Sequence, residues 1–188
     1  MTGPYTDPNL EAPWLCQLSI GGSIDPCPFT DVDGQLYLLW KNDGNCCGNP
    51  VHIWAQPLQA NGVEFVNGTE AVELITNDLP WEGNLVEAPS MIVRVDSATT
   101  IPIYYLFYSC NSYASYQYAV GYAECKTPLG PCQKVNLSPI IGYYGSAWGP
   151  GGEQPFYDVH GDLWFCYHSW TAPNGTFKCY RYNLYVKS

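Results

Sequence analysis

The chain has 188 residues, 46% of them hydrophobic, which is enough for a sizeable core and excludes a disordered chain. Seventeen acidic against seven basic residues leave a formal net charge of −10, so a groove that tracks a phosphate backbone is excluded and nucleic acid is not an expected partner. Sixteen Tyr, seven Trp and six Phe point to a β-rich protein that uses aromatic rings both as core and as platforms for neutral ligands such as sugars, and no apolar run is long enough for a transmembrane helix.

In chain order, Met1-Thr2-Gly3-Pro4-Tyr5-Thr6-Asp7-Pro8 has no apolar stretch of the kind that opens a secretory signal. Ser23-Ile24-Asp25-Pro26-Cys27-Pro28-Phe29 then places a carboxylate just before a proline at the mouth of an apolar strand. Asp before Pro is also a common turn opener. Leu36-Tyr37-Leu38-Leu39-Trp40 reads as the next strand, followed by the turn Lys41-Asn42-Asp43-Gly44-Asn45, where Asn42 is a candidate for binding hydroxyls or for local turn bonding. Strands follow at Ile53–Leu58 and Val72–Ile75. In the loop Leu79-Pro80-Trp81-Glu82-Gly83-Asn84, Trp81 either stacks on a sugar ring or covers a sheet edge.

Glu87 lies inside Asn84-Leu85-Val86-Glu87-Ala88-Pro89-Ser90-Met91, where strands disfavour glutamate and a carboxylate among apolar neighbours is costly unless its proton has a use. It is the first catalytic candidate, and paired with Asp25 it suggests acid–base chemistry on a sugar. The aromatic strand Ile103–Ser109 comes next, with Ser109 at its end expected to line a pocket. His168, between Tyr167 and Trp170, reads as a hydrogen-bonded core histidine; His52 and His160 read as loop or strand-edge residues.

Nine cysteines argue for an oxidising, extracellular location and are expected to form mostly disulfides, with at least one left over because the number is odd. Cys125 and Cys132 flank the turn Thr127-Pro128-Leu129-Gly130-Pro131 and suit a local bridge, whereas adjacent Cys46 and Cys47 are expected to take different partners. Glycosylation triplets at Asn67, Asn136 and Asn174 agree with secretion. Cysteine and histidine spacings do not match a zinc site.

An internal repeat supplies the architecture. Pro28-Phe29-Thr30-Asp31-Val32-Asp33-Gly34-Gln35-Leu36-Tyr37 realigns with Pro155-Phe156-Tyr157-Asp158-Val159-His160-Gly161-Asp162-Leu163-Trp164, an offset of 127 residues that also relates Gly3-Pro4 to Gly130-Pro131. With Ile103–Ser109 between them, three units recur at intervals of roughly 60 to 70 residues, built of short aromatic strands and Gly/Pro/Asn/Asp turns without helical periodicity. That is the pattern of propeller blades, a β-sandwich being the plain alternative. One blade runs from about Ser23 to Ile75, another from about Glu87 to Cys132, and a last from about Gly149 to Tyr182; Gly3–Thr6 reads as the end of an earlier blade.

Taken together, Ser23-Ile24-Asp25-Pro26 with Phe29-Thr30-Asp31-Val32-Asp33-Gly34, Glu87-Ala88-Pro89-Ser90-Met91 with Tyr104–Ser109, and Gly149-Pro150-Gly151-Gly152 with Trp164–His168 resemble glycoside hydrolase family 43 over nearly the whole chain. The resemblance implies an all-β, five-bladed β-propeller, with residues 1–188 forming one partial catalytic domain of about three blades plus the end of another. It implies hydrolysis of arabinose- or xylose-containing polysaccharides with inversion of configuration. By motif, Asp25 matches the family's middle, orienting Asp and Glu87 its general acid. The general base has no counterpart in this chain, Asp7 and Glu11 lying in an end-of-blade turn, so activity is expected to be impaired. The family often has His after Gly-Pro-Gly in the last blade, near a cation; Gly152 stands there, and no metal or other cofactor is expected. The partners implied are a polysaccharide or oligosaccharide, not a membrane, with self-association through exposed blade faces. A non-catalytic sugar-binding module is the alternative function.

Overall fold

The computed structural model describes residues 4, 6, 11–95 and 99–172, and the backbone of 177–183. The Gly3 and Asp7 readings and the Asn174 triplet lie outside the described residues. Eleven strands form three antiparallel meanders among the described residues. The first contains β1 (Ser23–Thr30), β2 (Leu36–Asn42), β3 (His52–Leu58) and β4 (Val72–Thr76). The second contains β5 (Val86–Val95), β6 (Pro102–Cys110), β7 (Ala119–Cys125) and β8 (Cys132–Lys134), and the third β9 (Trp148–Tyr157), β10 (Leu163–Trp170) and β11 (Phe177–Asn183). These are the expected blades, and the all-β propeller expectation holds.

Each hairpin follows from its turn chemistry. In the first, Asp31-Val32-Asp33-Gly34 closes β1 onto β2, with Gly34 at φ 86° and the Asp33 carboxylate accepting from Gln35 N at 2.9 Å. Its repeat, Asp158-Val159-His160-Gly161, closes β9 onto β10 in the same way, with Gly161 at φ 82°.

The main core fills the space between the first two blades. Phe29, Leu39, Ile53, Ala55 and Ile75 meet Val86, Met91, Leu106, Tyr108 and Ala123, Leu39, Ile53 and Leu106 being wholly buried. Phe107 meets Phe165 edge to face at 4.6 Å between centroids, joining the second blade to the third. On the other face of the first blade, Leu38, Trp40 and Leu58 are covered by the segment before β1: Trp14 stacks on Phe65 at 4.9 Å, and Trp40 Nε1 donates to Gln17 at 2.8 Å.

The cysteine expectations need correction. Cys125–Cys132 is bridged as expected, but Cys46 and Cys47 pair with each other, the short turn Gly44–Cys46 bringing both into one exposed loop. Cys16, Cys27, Cys110 and Cys166 are thiols, so among the described residues bridged cysteines are not the majority. Cys110 shows why: fully buried against Ala119 O at 3.5 Å, it packs as a small apolar residue.

Candidate active site

The two candidate carboxylates occupy equivalent irregularities in successive inner strands. Pairing of β1 with β2 slips between Ile24 and Cys27, and pairing of β5 with β6 slips between Glu87 and Ser90. At each slip a residue with a side chain takes a left-handed backbone, Asp25 at φ 55° and Ala88 at φ 49°. Such conformations cost on the order of 1–3 kcal/mol and concentrate where function requires them. Gly152, which the 127-residue repeat aligns with Asp25, repeats the bend in β9 at φ 60°.

Asp25 Oδ2 accepts a hydrogen bond from Ala88 N at 2.9 Å, so the bend of one blade is tied to that of the next, directly beside Glu87. Both oxygens of Glu87 are held. Oε1 accepts from the Tyr118 hydroxyl at 2.7 Å, and Oε2 pairs at 3.1 Å with Nζ of Lys41, a side chain 1% exposed that also reaches Asp43 at 3.4 Å. Burial and the Glu87 charge push the Tyr118 phenol far above its ordinary range, so it remains a proton donor at any working pH.

The glycines of β9 make this arrangement sterically possible. A Cβ on Gly151 would run into the Tyr118 ring, and one on Gly152 into the His168 imidazole. His168 lies alongside Tyr118 with ring centroids 6.0 Å apart, and its burial holds it below the usual imidazole pKa. Gly151→Ala is expected to destabilise the fold by about 1–3 kcal/mol through overpacking. Its thermal melt should fall accordingly, and an unchanged melt would show that Tyr118 moves aside without strain.

The sequence profile of glycosyl hydrolases family 43 matches residues 1–183. The chain belongs to glycosyl hydrolase family 43. Among solved structures it is similar to a thermostable family-43 glycoside hydrolase, with 28% identity and a TM-score of 0.74 over 88% of this chain and 55% of that one. It is similar also to an endo-1,4-beta-xylanase from Bacteroides thetaiotaomicron VPI-5482, with 26% identity and a TM-score of 0.73 over 89% of this chain and 56% of that one. An endo-arabinase from the same organism shares the fold at 21% identity and a TM-score of 0.67, over 88% of this chain and 57% of that one. The chain therefore spans a little over half the length of these structures. No curated protein sequence matches it.

The remaining candidates of this family 43 chain lie in its framework. Asn42 is fully buried, and its amide donates to Ile20 O and Pro50 O while accepting from His52 N and Trp54 Nε1. Those four bonds use its donors and lone pairs, so of the two roles open to Asn42 the contacts match local bonding rather than sugar hydroxyls: it ties the loops around β2 and β3. Trp81 is partly buried, its ring stacked on Tyr108 at 6.4 Å and close over Gly121. These contacts match the covering role rather than a free stacking platform. Ser109 is wholly buried and bridges two blades, accepting from Gly152 N at 2.8 Å and bonding Glu153 Oε2 at 2.6 Å.

Glu153, 3% exposed, escaped the sequence reading. The repeat aligns it with Pro26, immediately after the bend, and that adjacency was the available signal. Burial raises its carboxyl to about 8 from an ordinary 4.5, the charges of Glu87 and Asp25 adding to the effect against the bond from Ser109. The folded chain thus holds a proton that the unfolded chain releases near 4.5. This stabilisation is complete below about 4.5 and is lost as pH rises to about 8. Urea midpoints should fall across that window and fall less in Glu153→Gln; parallel slopes would place the titration elsewhere.

Proposed function

We propose that this chain carries the acid side of an inverting glycosidase acting on arabinose- or xylose-containing plant cell-wall polysaccharides, with Glu87 as general acid and Asp25 as the carboxylate that orients it. The observation that carries this reading is the Asp25–Ala88 bond, which locks two bent strands together beside Glu87. Glu87 gives its proton to the leaving-group oxygen, and the carboxylate that remains is stabilised by the Lys41 ammonium and the Tyr118 hydroxyl. The substrate class is supported by the xylanase and endo-arabinase among the similar structures. The two disulfides support an extracellular location.

Inversion also needs a carboxylate roughly 6.5–9.5 Å from the acid to activate water on the opposite face of the sugar. Around Glu87 the described acids are committed otherwise: Asp25 to Ala88 N, Asp43 to Lys41, and Glu153 to a buried bond with Ser109. On this reading none of these described acids serves as the base, and turnover by the described blades is expected to be impaired.

The test is hydrolysis of 4-nitrophenyl α-L-arabinofuranoside, 4-nitrophenyl β-D-xyloside and linear arabinan by the purified chain, with Glu87→Gln as control. Turnover lost in the control supports Glu87 as acid, and equal turnover in both overturns it. Saturable binding of arabino- or xylo-oligosaccharides without turnover favours the non-catalytic sugar-binding reading.

A further inference from the structure

Two uncharged loops meet beside the strand ends that hold Glu87. In a chain of formal net charge −10, residues 111–118 and 139–148 contain no Asp, Glu, Lys or Arg and are rich in Tyr and Ser. Residues 111–118 join β6 to β7, leaving the sheet just beyond Cys110, which pairs with Val86 next to Glu87. This loop ends in Tyr118, whose hydroxyl donates to Glu87 at 2.7 Å. Residues 139–147 lead into β9, which Trp148 opens, and they are pinned to β7: Val120 N donates to Ile141 O and Ile140 N to Val120 O, each at 2.8 Å. Tyr144 and Ala147 close the following turn with backbone bonds of 3.2 and 3.0 Å. Gly149 lies against Ser115 of the first loop, so closely that a Cβ would not fit.

Three rings come together where these loops touch. The Trp148 ring centroid lies 4.5 Å from that of Tyr143 and 6.3 Å from that of Tyr116, and Tyr116 stands nearly perpendicular to both rings, at 79° and 81°. Tyr116 is 56% exposed and Tyr143 49%. Rings held open to solvent on an anchored frame offer apolar faces with hydroxyls at their tips, a combination that suits both the C–H face and the hydroxyls of a sugar. The lack of ionic groups favours a neutral ligand over a charged one. An aromatic side chain offers about 150–250 Å² when fully buried, so three partly exposed rings fall well short of the roughly 1,200 Å² of a specific protein interface.

We propose that Tyr116, Tyr143 and Trp148 form a stacking subsite that holds a sugar residue of a neutral pentose chain outside the one beside Glu87. The proposal rests on the carbohydrate reading of the Glu87 site but is tested without turnover. Binding of arabinohexaose and xylohexaose to the purified chain is measured by calorimetry. At least one should bind, and replacing Tyr116 and Tyr143 together by Ala should weaken it on the order of tenfold. The corresponding double Phe variant keeps both rings and should bind within about twofold of the parent. Tyr157→Ala removes a ring 50% exposed at the far end of β9 and should change nothing. No hexasaccharide binding by the parent, undiminished binding by the double Ala variant, or an equal loss in the double Phe variant or in Tyr157→Ala would each overturn the proposal. Self-association abolished by the double Ala variant, without sugar binding, would overturn it in favour of a contact between protein surfaces. Ring-dependent binding without any turnover would count against the reading of Glu87 and leave the subsite standing.

Discussion

Glu87→Gln should lower turnover of linear arabinan or xylan by on the order of 10²–10⁴-fold in any form of the chain that turns over, the usual range for removing a general acid. Gln keeps the size of the side chain, and its amide oxygen can still accept from Tyr118 or Lys41, so the melting temperature should move little. What it lacks is a proton to deliver. Because 4-nitrophenolate leaves with little protonic help, the deficit should be smaller on aryl glycosides than on polysaccharide. Comparing kcat on both substrates checks this, and an equal loss on both would indicate displaced substrate rather than a missing acid.

Lys134→Ala should destabilise the fold by about 3–5 kcal/mol, because it strands a buried charge. Glu82 is wholly buried, accepting from Tyr108 at 2.7 Å through Oε1 and from Leu79 N at 2.9 Å through Oε2, which Lys134 also reaches at 2.6 Å. Lys134 bonds Asp78 and Thr76 O as well, so one ammonium secures the end of β4 and the loop that carries Trp81. Urea unfolding measures the loss. Adding Glu82→Gln to Lys134→Ala should restore part of it by removing the charge left unpaired; a single variant within about 1 kcal/mol of the parent would mean that water reaches Glu82.

The blades were legible because their signals are local. Aromatic strands, Asp/Gly turns and the repeat relating Pro28 to Pro155 each survive without tertiary context. Glu87 was legible as a charge among apolar neighbours. Asn42 stayed open between hydroxyl binding and local bonding because the groups that take up its amide, among them Ile20 O and Pro50 O, come from loops whose approach the sequence does not announce. Glu153 was missed because its burial arises from the packing of β9 against Ser109 of another blade. Cys46 and Cys47 were separated on the general habit of cysteines, whereas the turn beginning at Gly44 folds them together.

Counted from the left-handed residue of each inner strand, Glu87 stands one place before the bend, Asp25 at the bend and Glu153 one place after it. The bend interrupts the simple alternation of the strand, and the three acids meet different surroundings: Glu87 the Lys41 ammonium and Tyr118 hydroxyl, Asp25 the Ala88 N–H, and Glu153 the buried Ser109 hydroxyl. A propeller can thus diversify its interior chemistry by sliding an acid a single position along an unchanged strand. Under the proposed function the same backbone contour yields the acid, the carboxylate that orients it, and a group sealed inside the wall.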